Sequence, residues 1–231
     1  MTPSPLSSPL PAARDRSLDA LVAADRWSVW RTLTRGLAHH LANAAQMLAL
    51  DPAPAIALTE AVERVSLAQL RLSGIHRDDT PGPASVPEVL EDVQAMQRLQ
   101  VEFPSVEIAL VAEPGLHAVG MPAADLRHVL LSLVTNAKQA ARGGRATIGI
   151  EARGMKDGVE IGIRDGGPGL PPAMHERAFE PFVTTRDDGA LGLGLYVARA
   201  LAQRAGGTLD LDPGSRGFRL RVPAWQRALP T

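Results

Sequence analysis

The hydrophobic pattern divides the chain into an N-terminal region with a helical period and a C-terminal region with a mixed period. Apolar side chains recur every three or four positions from residue 18 to 50, and a second helical pattern covers residues 56–72. Asp51-Pro-Ala-Pro54 separates the two patterns, because proline lacks an N–H and disfavours helix in the residue before it. We therefore predict an antiparallel helical hairpin. Two helices leave part of their apolar stripe uncovered, so we expect two copies to form a dimeric four-helix bundle.

The C-terminal region follows a polar stretch rich in proline and glycine, residues 77–85, which we interpret as a linker. Its patterns predict helices over Pro87–Phe103, Pro122–Ala141 and Gly192–Ala205, and strands over Val106–Val111, Ala146–Ala152, Val159–Arg164, Thr208–Leu211 and Phe218–Val222. Asp157-Gly158 is a hairpin turn signal. The mixture predicts an α/β sandwich after the hairpin, and the fold class of the whole chain is then α+β. The predicted divisions are a lead (1–17), the hairpin (18–76), the linker, the sandwich (86–223) and a tail (224–231).

Composition excludes several classes of function. Lys and Arg number 24 against 25 Asp and Glu, so overall charge would not attract nucleic acid or a membrane. The absence of cysteine excludes disulfides, thiol catalysis and zinc sites built on cysteine. No apolar run approaches the roughly 18 residues that cross a bilayer, and the first 17 residues lack the apolar block of a signal peptide. We therefore expect a disordered lead, no membrane span and a cytoplasmic location.

Four segments of the C-terminal region carry candidate chemistry. They are the predicted helix Leu130–Ala140 with Asn136 on it, Asp165-Gly-Gly-Pro-Gly169 after a strand, Phe179-Glu-Pro-Phe182 followed by Val-Thr-Thr-Arg186, and Gly192-Leu-Gly-Leu195 at the start of a helix. Each segment has an ordinary explanation when it is considered singly. The glycines would serve turns or close packing, and Phe179 and Phe182 would belong to the core.

In this order and spacing, the four segments resemble the N, G1, F and G2 boxes of the GHKL ATP-binding domain over roughly residues 86–223. The resemblance implies Mg-ATP as ligand, with Asn136 giving an amide oxygen to Mg²⁺ and Asp165 accepting a hydrogen bond from the adenine amino group. It also implies that Gly167 and Gly169 let the backbone approach the base. Further implied nucleotide contacts are Gly192 and Gly194 at a helix N-terminus, Gln139, Phe182, Leu193, and Thr185 and Arg186 in a lid, with Arg186 near the γ-phosphate.

One position separates the branches of this superfamily. Members that hydrolyse ATP carry a glutamate four residues before the metal-binding asparagine, whereas this chain has Ser132 there. Serine does not act as a general base at neutral pH without a partner. The resemblance therefore favours a kinase.

His39, His40 and Asn43 resemble the H box of histidine kinases, in which His39 would accept the phosphoryl group. At about 100° per residue, His39 lies about 200° from Leu37 and Leu41 and so faces away from the apolar stripe. Three features depart from the family. His40 replaces the usual acidic residue and supplies no negative charge, Ala44 replaces a proline, and only about 11 residues separate His39 from the hairpin turn.

The leading hypothesis is a histidine kinase core that passes the γ-phosphoryl of Mg-ATP to His39 and then to an aspartate of a response regulator. Too few residues precede the predicted phosphoacceptor region to form a sensor domain, so we expect the signal to arrive through a partner protein or through the helix itself. One alternative is a histidine phosphotransferase or pseudokinase that relays phosphate from another protein. Another is a serine kinase that binds a sigma factor, although that function would leave the hairpin unexplained.

Overall fold

The structure is a computed structural model that describes residues 18–26, 29, 82–97, 106–141, 146–167, 169–184, 192–212 and 216–226. The rest of the predicted hairpin lies outside these residues, and so do His39, His40 and Asn43. The four-helix bundle and its dimer therefore remain predictions. In the described ranges, no helix is long and apolar enough to cross a membrane.

The described residues of the C-terminal region form four helices and five strands. In chain order they are α1 (Val86–Gln97), β1 (Val106–Ala112), α2 (Ala123–Ala140), β2 (Ala146–Met155), β3 (Gly158–Arg164), α3 (Pro172–His175), α4 (Gly194–Arg204), β4 (Thr208–Leu211) and β5 (Gly217–Pro223). Residues 18–26 are also helical, and we call them the N-terminal segment.

The strands make one mixed sheet in the order β1-β2-β3-β5-β4. β1 and β2 are parallel, and the other neighbours are antiparallel. The parallel pair is joined through α2, as a parallel connection requires a crossover. Met155 pairs with Gly158, so the β2–β3 turn is formed by Lys156 and Asp157, one residue earlier than the predicted turn.

The core lies between one face of the sheet and the helices. Alternate residues of the strands, such as Ile148, Ile150, Ile161 and Leu220, are fully buried there. α2 supplies the largest share of the helical side, with buried leucines at positions 126, 130, 131 and 133. Leucine, isoleucine and valine fill this core because only 3% of the residues are aromatic. This arrangement confirms the predicted α/β sandwich for the described part of the chain.

The other face of the sheet carries charged side chains in matched register. Glu160 on β3 pairs across the ladders with Arg153 on β2 and Arg221 on β5. Its carboxylate accepts hydrogen bonds from Arg153 and, at 2.8 Å, from Arg221 Nε. Arg219 lies 3.8 Å from the same carboxylate. Burial would raise the pKa of Glu160, but the hydrogen bonds and charges of these arginines hold it below its ordinary value.

Candidate functional site

One side of α2 connects the segments that carry the candidate chemistry. A Cβ placed on Gly194, at the start of α4, would lie 3.8 Å from the Ser132 Cβ. A Cβ on Gly167 would lie 2.8 Å from the carbonyl oxygen of Ala140. These two contacts are eight residues apart on α2, or about 12 Å along its axis. Asn136 lies between them and is half-buried, so the glycine-bearing segments flank it.

Asp165 comes directly after β3, and its carboxylate is half-buried. Its Oδ1 accepts a hydrogen bond from the Gly167 backbone N–H at 2.9 Å. Burial raises the pKa of Asp165, while this hydrogen bond and the charge of Arg216 act in the opposite direction. A partly desolvated carboxylate gains most from a further hydrogen-bond donor, and the amino group of adenine is one. Guanine presents an oxygen acceptor at that position, which the carboxylate would repel.

Gly167 has a structural requirement of its own. A side chain at this position would collide with the α2 backbone at Ala140, so glycine is needed for the loop to approach the helix. The family resemblance implied that this glycine lets the backbone approach the base. In the structure, its missing Cβ faces α2.

The start of α4 leaves its first backbone N–H groups without a side-chain cap. Leu193 occupies the N-cap position, and its side chain makes no capping hydrogen bond. The helix begins at Gly194, two residues later than predicted. Uncapped N–H groups and the helix dipole favour an anion here. Gly192 has a φ of +65°, and a Cβ on it would lie 2.7 Å from the Val183 carbonyl oxygen.

The same glycine contacts Phe182, which precedes the predicted lid residues Thr185 and Arg186 in the chain. The Phe182 backbone N–H donates a hydrogen bond to the Gly192 carbonyl oxygen at 2.9 Å. Phe182 itself has a φ of 65° and is 67% exposed, so the default interpretation of a core residue is wrong for it. Phe179 is partly buried, with its ring edge against Phe218. The Arg199 guanidinium lies 4.4 Å from the Phe179 ring centre, within cation–π range.

The donor set suits magnesium better than a transition metal. Among the described residues, no group of three or more histidine, aspartate or glutamate side chains is placed to hold a metal ion. Mg²⁺ commonly takes one or two protein oxygens and receives the rest of its ligands from phosphates and water. Asn136, between Gly194 and Asp165, could supply such an oxygen. Gln139 is half-buried one turn further along α2.

The structure thus brings together seven of the predicted nucleotide residues around α2: Asn136, Gln139, Asp165, Gly167, Gly192, Leu193 and Gly194. Gly169, with a φ of 79°, lies on the same loop as Asp165, and Phe182 borders the lid. Thr185 and Arg186 lie outside the described residues.

One contact at this site was not predicted from the sequence. Asp25 of the N-terminal segment accepts a hydrogen bond from His128 of α2, with Oδ2 and Nε2 2.9 Å apart. The available signal was an acidic residue within an apolar helical stripe, since Leu18, Leu21 and Val22 precede Asp25 and Val29 follows it.

Comparison with known proteins gives a family for part of the chain. Residues 122–226 match the family described as histidine kinase-, DNA gyrase B-, and HSP90-like ATPase. The sensory histidine kinase/phosphatase NtrB of Vibrio alginolyticus is 28% identical over 219 residues, and that of Salmonella typhimurium is 30% identical over the same length. Each alignment covers 84% of this chain and 62% of the relative, so the chain spans less than two thirds of these proteins.

A solved structure gives the same fold. The catalytic domain of histidine kinase ThkA superposes with a TM-score of 0.55 and 23% sequence identity, covering 62% of this chain and 95% of that domain. The family match over residues 122–226 confirms the resemblance predicted from the four segments.

Proposed function

We propose that this chain is the catalytic core of a two-component histidine kinase. The proposal rests on residues 122–226, which match the ATPase family that histidine kinases share with DNA gyrase B and HSP90. The structural observation that best supports the proposal is the placement of Asp165 and the start of α4 on either side of Asn136. The similarity to NtrB proteins over most of the chain favours a kinase rather than a phosphotransferase that does not use ATP.

Each described residue then has a task in holding Mg-ATP. Asp165 accepts the adenine amino hydrogen bond, and the backbone N–H groups at Gly194 bind phosphate oxygens. Asn136 holds Mg²⁺ through its amide oxygen. Bound Mg²⁺ supplies charge neutralisation at the transferring phosphoryl group. Ser132 does not act as a general base, so these residues orient the γ-phosphate without activating water.

The phosphoryl group passes to a nitrogen of His39. The neutral imidazole attacks the γ-phosphorus, a P–N bond forms, and the bond to the β–γ bridging oxygen breaks with ADP as leaving group. The proton on the imidazole is released to solvent or to His40, whose ordinary pKa near 6.5 allows it to accept one. Positioning and charge neutralisation, including that by Arg186, account for most of the rate enhancement.

A response regulator is the proposed partner. A carboxylate oxygen of its receiver aspartate attacks the phosphorus, so that the P–N bond breaks, a P–O bond forms and His39 is regenerated. We also propose that the chain acts as a homodimer in the cytoplasm and receives its signal from an upstream protein.

Incubation of the pure protein with γ-labelled ATP tests the proposal. We expect label that is labile in acid and stable in alkali, as a phosphorylated nitrogen requires, and we expect His39→Ala to remove it. His40→Ala serves as the matched control because it changes the neighbouring histidine, and it should retain label at a reduced rate. Label retained by the His39→Ala variant, or label on the wild type that survives acid, would refute the assignment of His39 as the phosphoacceptor.

A further inference from the structure

The N-terminal segment packs against the ATPase-like domain through an apolar stripe, two ion pairs and one buried hydrogen bond. Val22 is buried in the core, and Leu18, Leu21 and Val29 pack against it. Asp19 pairs with Arg204 of α4 at 2.7 Å, and Arg26 pairs with Asp125 of α2 at 2.6 Å. The segment therefore bridges the two helices that border the predicted phosphate site.

The buried hydrogen bond joins Asp25 to His128 and places the Asp25 carboxylate at that site. The side chains of Asp25 and His128 are 8% and 2% exposed, and their hydrogen bond is buried. The other carboxylate oxygen of Asp25, Oδ1, lies 4.0 Å from where a Cβ on Gly194 would be, next to the uncapped start of α4. Ser132 faces the same point, and its buried Oγ has no hydrogen-bond partner among the described residues.

We propose that Asp25 is a built-in competitor of the nucleotide: the docked N-terminal segment holds a carboxylate beside the N-terminus of α4, where the phosphates of ATP would bind. This inference rests on the proposed function. An anion is stabilised near a helix N-terminus, so the dipole of α4 that would favour a phosphate also favours the nearby Asp25 carboxylate. Two negative groups that lie close together where water is partly excluded repel each other strongly.

The consequence is an antagonism between docking and nucleotide binding. A ligand that binds the undocked state more tightly than the docked state favours undocking. By the same factor, docking lowers the affinity of the protein for that ligand. The segment continues toward His39 in the chain. Binding of Mg-ATP would therefore release the part of the chain that leads to the phosphoacceptor.

Calorimetric titration of the full chain with Mg-ATP tests the proposal. Asp25→Asn keeps the size of the side chain and removes its charge, and we expect it to bind Mg-ATP at least about fivefold more tightly than the wild type. Asp19→Asn is the matched control. It removes an exposed ion pair of the same segment, away from Gly194, and should bind Mg-ATP with nearly wild-type affinity.

Equal or weaker binding by Asp25→Asn would overturn the inference while leaving the proposed function intact. If neither the wild type nor the two variants bound Mg-ATP, the nucleotide site itself would be refuted, and the inference with it. Hydrogen exchange of the wild type gives a second measurement. Backbone amides of residues 18–26 should lose protection when Mg-ATP is added, and unchanged or increased protection would also overturn the inference.

Discussion

Asp165 and Lys138 show how burial acts on single ionisable residues near the site. The pKa of Asp165 is raised by burial, so its charged form is costly unless a donor reaches it. Lys138, two residues after Asn136, is almost fully buried and donates to the Gln97 carbonyl oxygen at 3.1 Å. Burial lowers the pKa of Lys138 to about 8. The aspartate could be identified from its motif, whereas the lysine carried no sequence signal because its burial depends on the packing of α1 against α2.

Replacement of Asp165 by asparagine should weaken Mg-ATP binding by at least about tenfold, because a charged hydrogen-bond acceptor for the adenine amino group is lost. Calorimetry measures the affinity. Asp157→Asn, in the exposed β2–β3 turn, is the control and should bind like the wild type. An Asp165→Asn variant with full affinity would show that the adenine lies elsewhere.

The lowered pKa of Lys138 predicts how the free energy of unfolding changes with pH in alkaline solution. Between its folded pKa of about 8 and its ordinary value of 10.5, the unfolded state binds more protons, so the free energy of unfolding should rise with pH in that window. Lys138→Met should remove this rise and increase the free energy of unfolding at pH 7 by about 1–3 kcal/mol. Denaturant titrations at pH 7, 8, 9 and 10 measure both effects. Lys156→Met, at the exposed second lysine, should retain the wild-type profile.

At the scale of elements, hydrophobic alternation located all five strands to within three residues, but it did not give their order. β2 extends three residues beyond its predicted end, because Arg153, Gly154 and Met155 still pair with β3 after the apolar alternation stops. The position of β5 between β3 and β4 follows from long-range packing, which no local pattern encodes. The short helix α3 was not predicted, since its four residues have no buried face and so no period to detect.

Glu160 lies at the centre of the charged side chains on the outer face of the sheet, and its replacement should lower the free energy of unfolding. Glu160→Gln leaves Arg153, Arg219 and Arg221 facing one another, and we expect the free energy of unfolding at pH 7 to fall by about 1–3 kcal/mol. Because the folded pKa of Glu160 is lowered, this contribution exists above its ordinary pKa and disappears as the pH falls through the folded value. Denaturant unfolding at pH 7 and pH 3 measures the difference. Glu151→Gln, at an exposed carboxylate, should change stability little, and an equal loss in both variants would contradict a special role for Glu160.

For the whole molecule, the sequence indicated two regions, and the structure describes mainly the second. The candidate nucleotide site could be proposed from the sequence because its motifs are short and local. The docking of the N-terminal segment on α2 and α4 could not, because Asp25 and His128 are 103 residues apart and neither belongs to a motif.

The predicted four-helix bundle has a direct test. Light scattering of the full chain should give about 49 kDa, twice the 24.5 kDa of one chain. Leu41→Glu places a charge in the predicted apolar stripe and should shift the mass toward one chain. Gln46→Glu, on the polar side of the same predicted helix, should leave the dimer intact. A wild-type mass of 24.5 kDa at micromolar concentration would refute the bundle.

The hydrogen bond between Phe182 and Gly192 has a consequence for how this chain tolerates insertions. It fixes both ends of the intervening stretch at one place, so extra residues inserted between them need not disturb α4 or the sheet. Loop closure becomes only slightly less favourable with length, by about 0.6 kcal/mol for each doubling. Evolution could therefore lengthen, shorten or replace the residues between these two positions while α4 and the sheet keep their places.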